Sequence, residues 1–378
     1  MNDDSKIIKA KNYQKIHALF YAHDSLSKPQ IVKLTGMSMP TVSANIAALA
    51  SDGLIEEGAL LESSGGRPAR GYRLVRDAKV AFGVEIKFDQ VRCAVVDLLG
   101  EAHDIVEYPL PCSDLSSYLK SFCALVKGYI AASGYVMERV LGIGIAVQAV
   151  VDGLGSEMIY SRILPLRTLK AADLSLELGM PVRLCHDVEC AALTELWHDP
   201  ALCEAVYVSI AEHLGGALIH NHALEHGKKG YAGALEHLEV GHEGRLCYCG
   251  RQDCLETYCS LSALLSRKEK LRDFFKALRE STVMDEYRTR WQEYLKHLAR
   301  GLYTVYLLLE RDIILGGDLA PYLDDRDLME LEEQVISRGT FPIEHGFIRR
   351  PRLVKDAAVA GAALYFMREH RAVLWSLL

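Results

Sequence analysis

Residues 237–256 read HLEVGHEGRLCYCGRQDCLE, and no other stretch restricts the chain so tightly. Cys247, Cys249 and Cys254 lie within eight positions, and His237 stands ten residues before Cys247. Three thiols and an imidazole at this spacing close a tetrahedral zinc shell. Gly244 and Gly250 allow the tight turns that such a loop needs. A Cys-x-Cys-x4-Cys run in a polar loop is poor core packing, which favours a metal over a chance cluster of reduced thiols. His242, five residues before Cys247, competes with His237 as fourth ligand. Either choice leaves no open coordination position, so the ion would be structural.

The 378 residues are half hydrophobic, enough for a sizeable core and two or three domains. There is no apolar run of eighteen and no charged-then-apolar leader, so a soluble cytoplasmic protein without membrane insertion is expected. Ten cysteines in such a chain point to a reducing compartment. Cys93, Cys123, Cys185, Cys190 and Cys203 sit among apolar residues and are expected in the core. The formal charge of −7 is unevenly spread. Residues 1–76 hold ten Lys/Arg against seven Asp/Glu, and the remainder 33 against 43. A basic module on an acidic body suits a polyanion partner for the first part only.

That first part has the layout of a DNA reader. Residues 11–23 place Ile16, Leu19 and Phe20 on one helical face. Ser27 is a candidate N-cap for a helix over 27–35 opened by Lys28 and Pro29. Gly36-Met37-Ser38 makes a turn, and a second helix follows over 39–51 with Val42, Ile46 and Leu49 facing inward. Helix, Gly-containing turn and helix form a helix-turn-helix. Ser38, Thr41, Ser43 and Asn45 are the small polar residues expected to be exposed where that helix enters a DNA groove. Gly53 ends it, and Leu54 to Glu57 begin a winged hairpin. In Ser63-Ser64-Gly65-Gly66-Arg67-Pro68-Ala69-Arg70-Gly71 the glycines leave a thin backbone. Arg67 and Arg70 can then lie in a minor groove, while the stretch links the two domains.

From residue 81 strands alternate with helices: 82–86, 91–97, 141–147, 182–186, 205–211, 215–220 and 312–317, against helical stretches near 114–133, 188–198, 257–279, 286–310 and 355–370. Alternation implies an α/β body, split at this size into two lobes with a cleft between them. No internal repeat at a fixed period is visible.

These motifs fall in a known order. The helix-turn-helix, SSGGRP, the strand pair at 82–97, GIGIAV at 142–147, HDVECAAL at 186–193, the cysteine cluster with CLE at 254–256, and ILGGDLA at 314–320 resemble the ROK family (repressors, open reading frames and sugar kinases), in its DNA-binding branch. The resemblance implies a winged helix-turn-helix over 1–76, ending in the Gly/Arg linker. It also implies a two-lobed actin-like, ribonuclease-H-like body over 77–378, with lobes at about 77–190 plus 355–378 and about 191–354. One structural zinc follows, with His237 favoured over His242, as does assembly into a homodimer or homotetramer.

A kinase of this family needs Asp-x-Gly-Gly-Thr after its first strand, where this chain has Glu85-Ile86-Lys87-Phe88-Asp89. Side chains there replace the backbone N–H groups that cradle phosphate. The second phosphate turn reads Glu212-His213-Leu214-Gly215-Gly216, and a carboxylate aimed at phosphates repels them. No enzyme activity is therefore expected, although Gly316-Gly317 survives. Asp187 matches the catalytic base and is expected to accept a hydrogen bond from a bound sugar. Glu256 matches a sugar-contacting Glu, and His237 can hold zinc with one nitrogen and face the sugar with the other. His186 stands where the kinases carry Asn. Ala234-Leu235-Glu236-His237 stands for Glu-Ile-Gly-His, so one sugar-binding Glu is lost and Glu236 is gained. Arg162 and Arg167 flank the cleft-side loop. The expected function is a sugar-responsive repressor of carbohydrate-utilisation genes that binds double-stranded operator DNA and senses a saccharide or sugar phosphate. The alternatives are a sugar kinase with an appended DNA module and a regulator controlled by a protein partner.

Overall fold

The apolar runs become strands and helices close to where the alternation puts them in a computed structural model, which describes residues 3–61, 69–113, 115–166, 168–280 and 285–375. The chain opens with α1 (Asp3–Leu19), β1 (Leu26–Ser27), α2 (Lys28–Thr35) and α3 (Met39–Ser51). A capping box starts α2, the Ser27 N–H donating to Gln30 Oε1 at 2.8 Å. Gly36 stops it at φ +70°, a left-handed conformation that glycine adopts without strain. Ser38 Oγ accepts the Thr41 N–H at 3.3 Å and so caps α3.

β2 (Ile55–Leu61) and β3 (Ala69–Leu74) then pair antiparallel, with β1 on the far edge of β3. This corrects one expectation. Leu60 pairs with Arg70 and Leu61 with Ala69, so the Gly/Arg stretch joins two strands of one hairpin and does not run between domains.

In the body, β4 (Val80–Ile86), β5 (Gln90–Val96) and β6 (Ala102–Pro109) form an antiparallel meander. After α4 (Leu115–Ser133), β7 (Val140–Val147) joins parallel to β4. The short pair β8 (Val150–Val151) and β9 (Met158–Tyr160) and helix α5 (Ala171–Leu178) precede β10 (Val182–His186), which is parallel to β7. Helix α6 (Asp187–His198) crosses to a second sheet. There β11 (Ala205–Ile210), β12 (Leu214–His220) and β13 (Ala223–Glu225) again form an antiparallel meander. Helices α7 (Glu256–Cys259), α8 (Leu261–Leu264), α9 (Leu271–Glu280) and α10 (Glu286–Leu309) follow, then β14 (Ile313–Gly316) parallel to β11. Next come α11 (Asp325–Ile336), β15 (Ile348–Arg349) parallel to β14, and α12 (Ala357–Trp375).

The sheet orders β10-β7-β4-β5-β6 and β13-β12-β11-β14-β15 follow the same scheme: a meander, then two parallel additions on the first strand. The body is thus a structural duplication that residue identity conceals. Glycines set how closely α12 packs on the first sheet. A Cβ on Gly83 of β4 would collide with the Val359 carbonyl, and one on Gly144 of β7 with the Ala362 carbonyl. Each sheet has its own hydrophobic cluster. A third cluster joins Ile16, Phe20, Val42 and Leu49 of the first module to Ala81, Leu98, Leu193, Leu364 and Met367 of the body. The DNA-reader layout is therefore seated directly on α12.

Two sequence expectations need adjusting. The helical stretch near 257–279 is α7, α8 and α9, because Ser260 and Leu265 are extended. Cys203 is only half-buried, whereas Cys93, Cys123, Cys185 and Cys190 are buried in the core. No helix among the described residues is long and apolar enough to cross a membrane.

Candidate functional site

The cysteine loop is folded by its own backbone. Glu239 bridges to Cys254 and Leu246 to Gln252, and the Cys247 N–H donates to the Arg251 carbonyl at 2.8 Å. Gly250 turns the chain at φ +90°. Asp253 accepts the Gly244 and Arg245 N–H groups at 3.0 and 3.1 Å and the Tyr258 hydroxyl at 2.5 Å, and these bonds, Tyr258's first, hold its carboxyl below the usual range.

The result brings the ligand atoms of His237, Cys247, Cys249 and Cys254 within 4.8 Å of one another. Cys249 Sγ lies 3.7 Å from Cys254 Sγ, and Cys247 Sγ lies 3.8 Å from His237 Nδ1. A tetrahedron with Zn–S bonds of about 2.3 Å has S–S edges of about 3.8 Å, so the donor set fits a metal ion of that kind. His242 is exposed and outside the cluster, which removes the rival ligand.

With Nδ1 turned to the thiols, His237 presents Nε2 towards Glu236, 3.7 Å from Oε1. Both residues line a cavity of about 460 Å³ between the lobes, together with His186, Asp187, His213 and Tyr248. Asp187 sits at the start of α6, where its Oδ1 accepts the Val188 N–H at 2.9 Å and lies 3.5 Å from His186 Nε2. Burial raises its carboxyl pKa, and the charge of His186 opposes this. Burial likewise pushes Glu236 up to about 7, helped by the charges of Glu256 and Asp187. Glu236 Oε2 is buried and has no hydrogen-bond partner.

Glu256 behaves differently from its expected role. It is buried at the head of α7 and does not line the cavity. Its Oε1 lies 2.7 Å from His213 Nδ1, and its Oε2 accepts the Leu214 N–H at 2.8 Å. Glu256 therefore fixes His213, a cavity residue that sequence reasoning missed. Burial depresses the His213 pKa, but the Glu256 hydrogen bond and charge carry it above the ordinary histidine value. Tyr248, also missed, packs edge-on to both His213 and His237, at 5.4 and 5.3 Å between ring centres. Arg162 hydrogen-bonds the Tyr160 hydroxyl and, at 3.3 Å, the Tyr248 carbonyl. Arg167 lies outside the described residues.

A second cavity, of about 820 Å³, adjoins the first, and Asp187, Gln148, Ser209 and Ala211 line both. The first expected phosphate turn lies here, whereas His213, Leu214 and Gly215 of the second line the smaller cavity, and groups of both turns are already engaged. Arg92 donates to Glu85 at 3.0 Å and also hydrogen-bonds Asp356. Lys87 Nζ lies 3.8 Å from Glu85 and 3.9 Å from Asp318. The Lys87 N–H is committed to the Gln90 carbonyl at 2.9 Å, and the Leu214 N–H to Glu256. Neither of these two N–H groups is free for phosphate.

In the N-terminal module, Ser38 is exposed, Thr41 and Ser43 are half-buried, and Asn45 is buried. Asn45 falls on the inward stripe with Val42, Ile46 and Leu49, and its Nδ2 donates to the Thr41 carbonyl at 2.8 Å. The expectation that it faces DNA is corrected. Ala44 and Ala47, which carry no polar signal, are exposed instead. Arg70 lies on β3, ion-paired with Glu57, and Arg73 pairs with Glu56 at 2.6 Å. Arg67 lies outside the described residues.

The model of the ROK family matches residues 81–369. A putative xylose repressor of Caldicellulosiruptor sp. (strain Rt8B.4) is 24% identical over 386 residues, covering 93% of this chain and 94% of its own. The DNA-binding transcriptional dual regulator NagC of Escherichia coli (strain K12) is 23% identical over 267 residues, covering 69% and 65%. Among solved structures, a ROK family transcriptional regulator, homolog of the E. coli MLC protein, has a TM-score of 0.74 at 20% identity, over 98% of this chain and 99% of its own. A ROK family glucokinase from Streptomyces griseus, in complex with glucose and AMPPNP, has a TM-score of 0.66 at 21% identity, over 76% and 98%. The shared fold is the two-lobed actin-like body, and the likeness to the regulator extends over the N-terminal module as well.

Proposed function

The chain belongs to the ROK family, and from that membership we propose that it is a sugar-responsive, non-enzymatic repressor of carbohydrate-utilisation genes in the cytoplasm. Residues 1–76 bind operator DNA through the start of α3, where Ser38, Thr41 and Ser43 stand, and through the wing end with Arg67 and Arg70. Residues 77–378 sense the effector. His237, Cys247, Cys249 and Cys254 hold a structural zinc, which pins the loop that carries His237 and Glu236 into the cavity. A homodimer or homotetramer reads a palindromic site, and effector binding changes the angle between lobes and with it the spacing of the recognition helices.

One observation carries this reading: groups of both phosphate turns are engaged by the protein itself, Lys87 by Glu85 and Asp318 and the Leu214 N–H by Glu256, while the cavity between the lobes keeps a polar lining. A molecule so arranged can bind a saccharide without phosphorylating it. The relatives carry the repressor half of the reading. The test is a gel-shift titration of operator fragments with and without a panel of mono- and disaccharides, alongside an ATP-consumption assay. Coupling of about 1–3 kcal/mol predicts an effector-dependent change of about 5–150-fold in DNA affinity. ATP turnover on any sugar of the panel would sink the non-enzymatic reading.

A further inference from the structure

Under the DNA-binding reading above, the start of α3 enters the major groove, yet this helix lacks the side chains that most often read bases there. Guanine is read by bidentate Arg or Lys and adenine by Asn or Gln, while thymine alone offers a C5-methyl group to apolar side chains. The helix Met39–Ser51 contains no Arg, Lys, Gln, His, Asp or Glu. Its one amide, Asn45, is buried and donates to the Thr41 carbonyl. The hydroxyls at its start are turned on one another: Ser38 Oγ lies 2.8 Å from Thr41 Oγ1 and accepts the Thr41 N–H. What the helix exposes is largely apolar. Met39 is 43% exposed, and Pro40, Ala44 and Ala47 form an open row opposite the buried Val42, Ile46 and Leu49. Pro40 and Ala47 lie about 10 Å apart along the axis, a span of about three base pairs. On the following hairpin Arg70 and Arg73 are ion-paired with Glu57 and Glu56. Ten Lys/Arg against seven Asp/Glu in residues 1–76 supply attraction to phosphate, which holds DNA without reading its sequence.

We infer that α3 reads thymine methyl groups, with Met39, Ala44 and Ala47 as the specificity-determining contacts, so that each half-site carries adjoining A·T pairs beneath this helix. The inference rests on the DNA-binding reading and narrows it to a class of operator. A G·C pair offers the same helix face no methyl group, and no long donor or acceptor on α3 compensates for it.

The experiment starts from duplexes that the full chain selects out of a random library, whose half-sites should carry adjoining A·T pairs. Replacing those thymines by deoxyuridine removes the methyl groups and keeps every hydrogen-bonding group of the bases. Burial of one methyl group is worth about a fourfold change in affinity, so uracil at two or more contacted positions should weaken binding at least tenfold in a gel shift at fixed salt. In the opposite direction, a cytosine placed at one such position should bind at least threefold more tightly once it is methylated at C5. That methyl group lies in the major groove, which separates its effect from the flank preference assigned to Arg67 in the minor groove. Ala44→Gly removes a facing methyl group and should lower the ratio of thymine to uracil affinity. Equal affinity for the thymine and uracil duplexes, or for cytosine and 5-methylcytosine, overturns the inference and leaves DNA binding standing. So do selected half-sites made of G·C pairs, and so does an Ala44→Gly variant that keeps the full ratio. If no sequence is enriched, the DNA-binding reading falls as well. The wild-type comparisons stand whether or not the variant folds.

Discussion

Lys87 Nζ reaches to 3.9 Å from Asp318 Oδ2, and the contact crosses the cleft from the first lobe to the second. Arg92 reaches Asp356 from the same lobe, and both cations share the buried Glu85. The larger cavity, which Glu85, Lys87, Arg92, Asp318 and Asp356 line, is thus spanned by the protein's own charges.

The outer and inner members of this network should differ sharply. Asp318 is more than half exposed, so Asp318→Ala should change stability by no more than about 1 kcal/mol. Glu85 is buried, and Glu85→Ala leaves Arg92 and Lys87 without their common anion, at a cost of about 3–5 kcal/mol. Urea denaturation of the two variants checks the contrast. Equal losses would mean that the network does not centre on Glu85.

Metal content gives a second test. The wild-type chain should bind one zinc ion, and Cys254→Ser should reduce this to near zero by atomic absorption. Because metal affinity is coupled to folding of the loop, the melting temperature should fall by roughly 10 °C. The variant should lose its response to effector while it still shifts operator DNA, since the loop and α3 belong to different clusters.

On α3, neighbouring residues should separate reading from packing. Ala44 is exposed, so Ala44→Glu sets a negative charge against phosphate and should weaken operator binding more than tenfold with little change in stability. Asn45→Ala removes a buried hydrogen bond and should cost about 1 kcal/mol. Arg67→Ala should weaken binding more than threefold and reduce the preference for A·T-rich flanks. Gel-shift titrations at fixed salt, paired with thermal melts, measure both effects.

Stability should depend on pH through His17. Its ring is 1% exposed beneath α12, and neither ring nitrogen has a hydrogen bond. Burial, with the nearby His370, lowers its pKa from 6.5 to about 4. Between those values the unfolded chain binds a proton that the folded chain refuses. The contribution is therefore full above pH 6.5 and is lost as pH falls towards 4, by about 3 kcal/mol in all. His17→Leu should flatten this slope in urea denaturation at pH 4.5 and pH 7.

The sequence discloses strands such as Ala205–Ile210 well, because a largely apolar run between Glu204 and Glu212 leaves little choice of ends. The four metal ligands are equally legible, since their chemistry is carried by residue type and spacing. The partnership of His213 with Glu256 is not, because 43 residues separate the two and the intervening loop brings them together. Asn45 misleads for a different reason. Residue type suggests a polar surface, but helical phase puts it inward, and one backbone carbonyl is enough to satisfy it. The duplication of the two sheets is hidden because strand order depends on where apolar runs fall and not on which residues compose them.

Leu364 and Met367 of α12, close to the end of the chain, complete the core beneath Ile16 and Phe20 near its beginning. A crossover between genes at position 76 would hand a new body the reading head without its seat. Exchange of DNA specificity among such proteins should therefore leave matched changes at both ends of the gene, and a working chimaera needs the α12 face transplanted along with the first 76 residues.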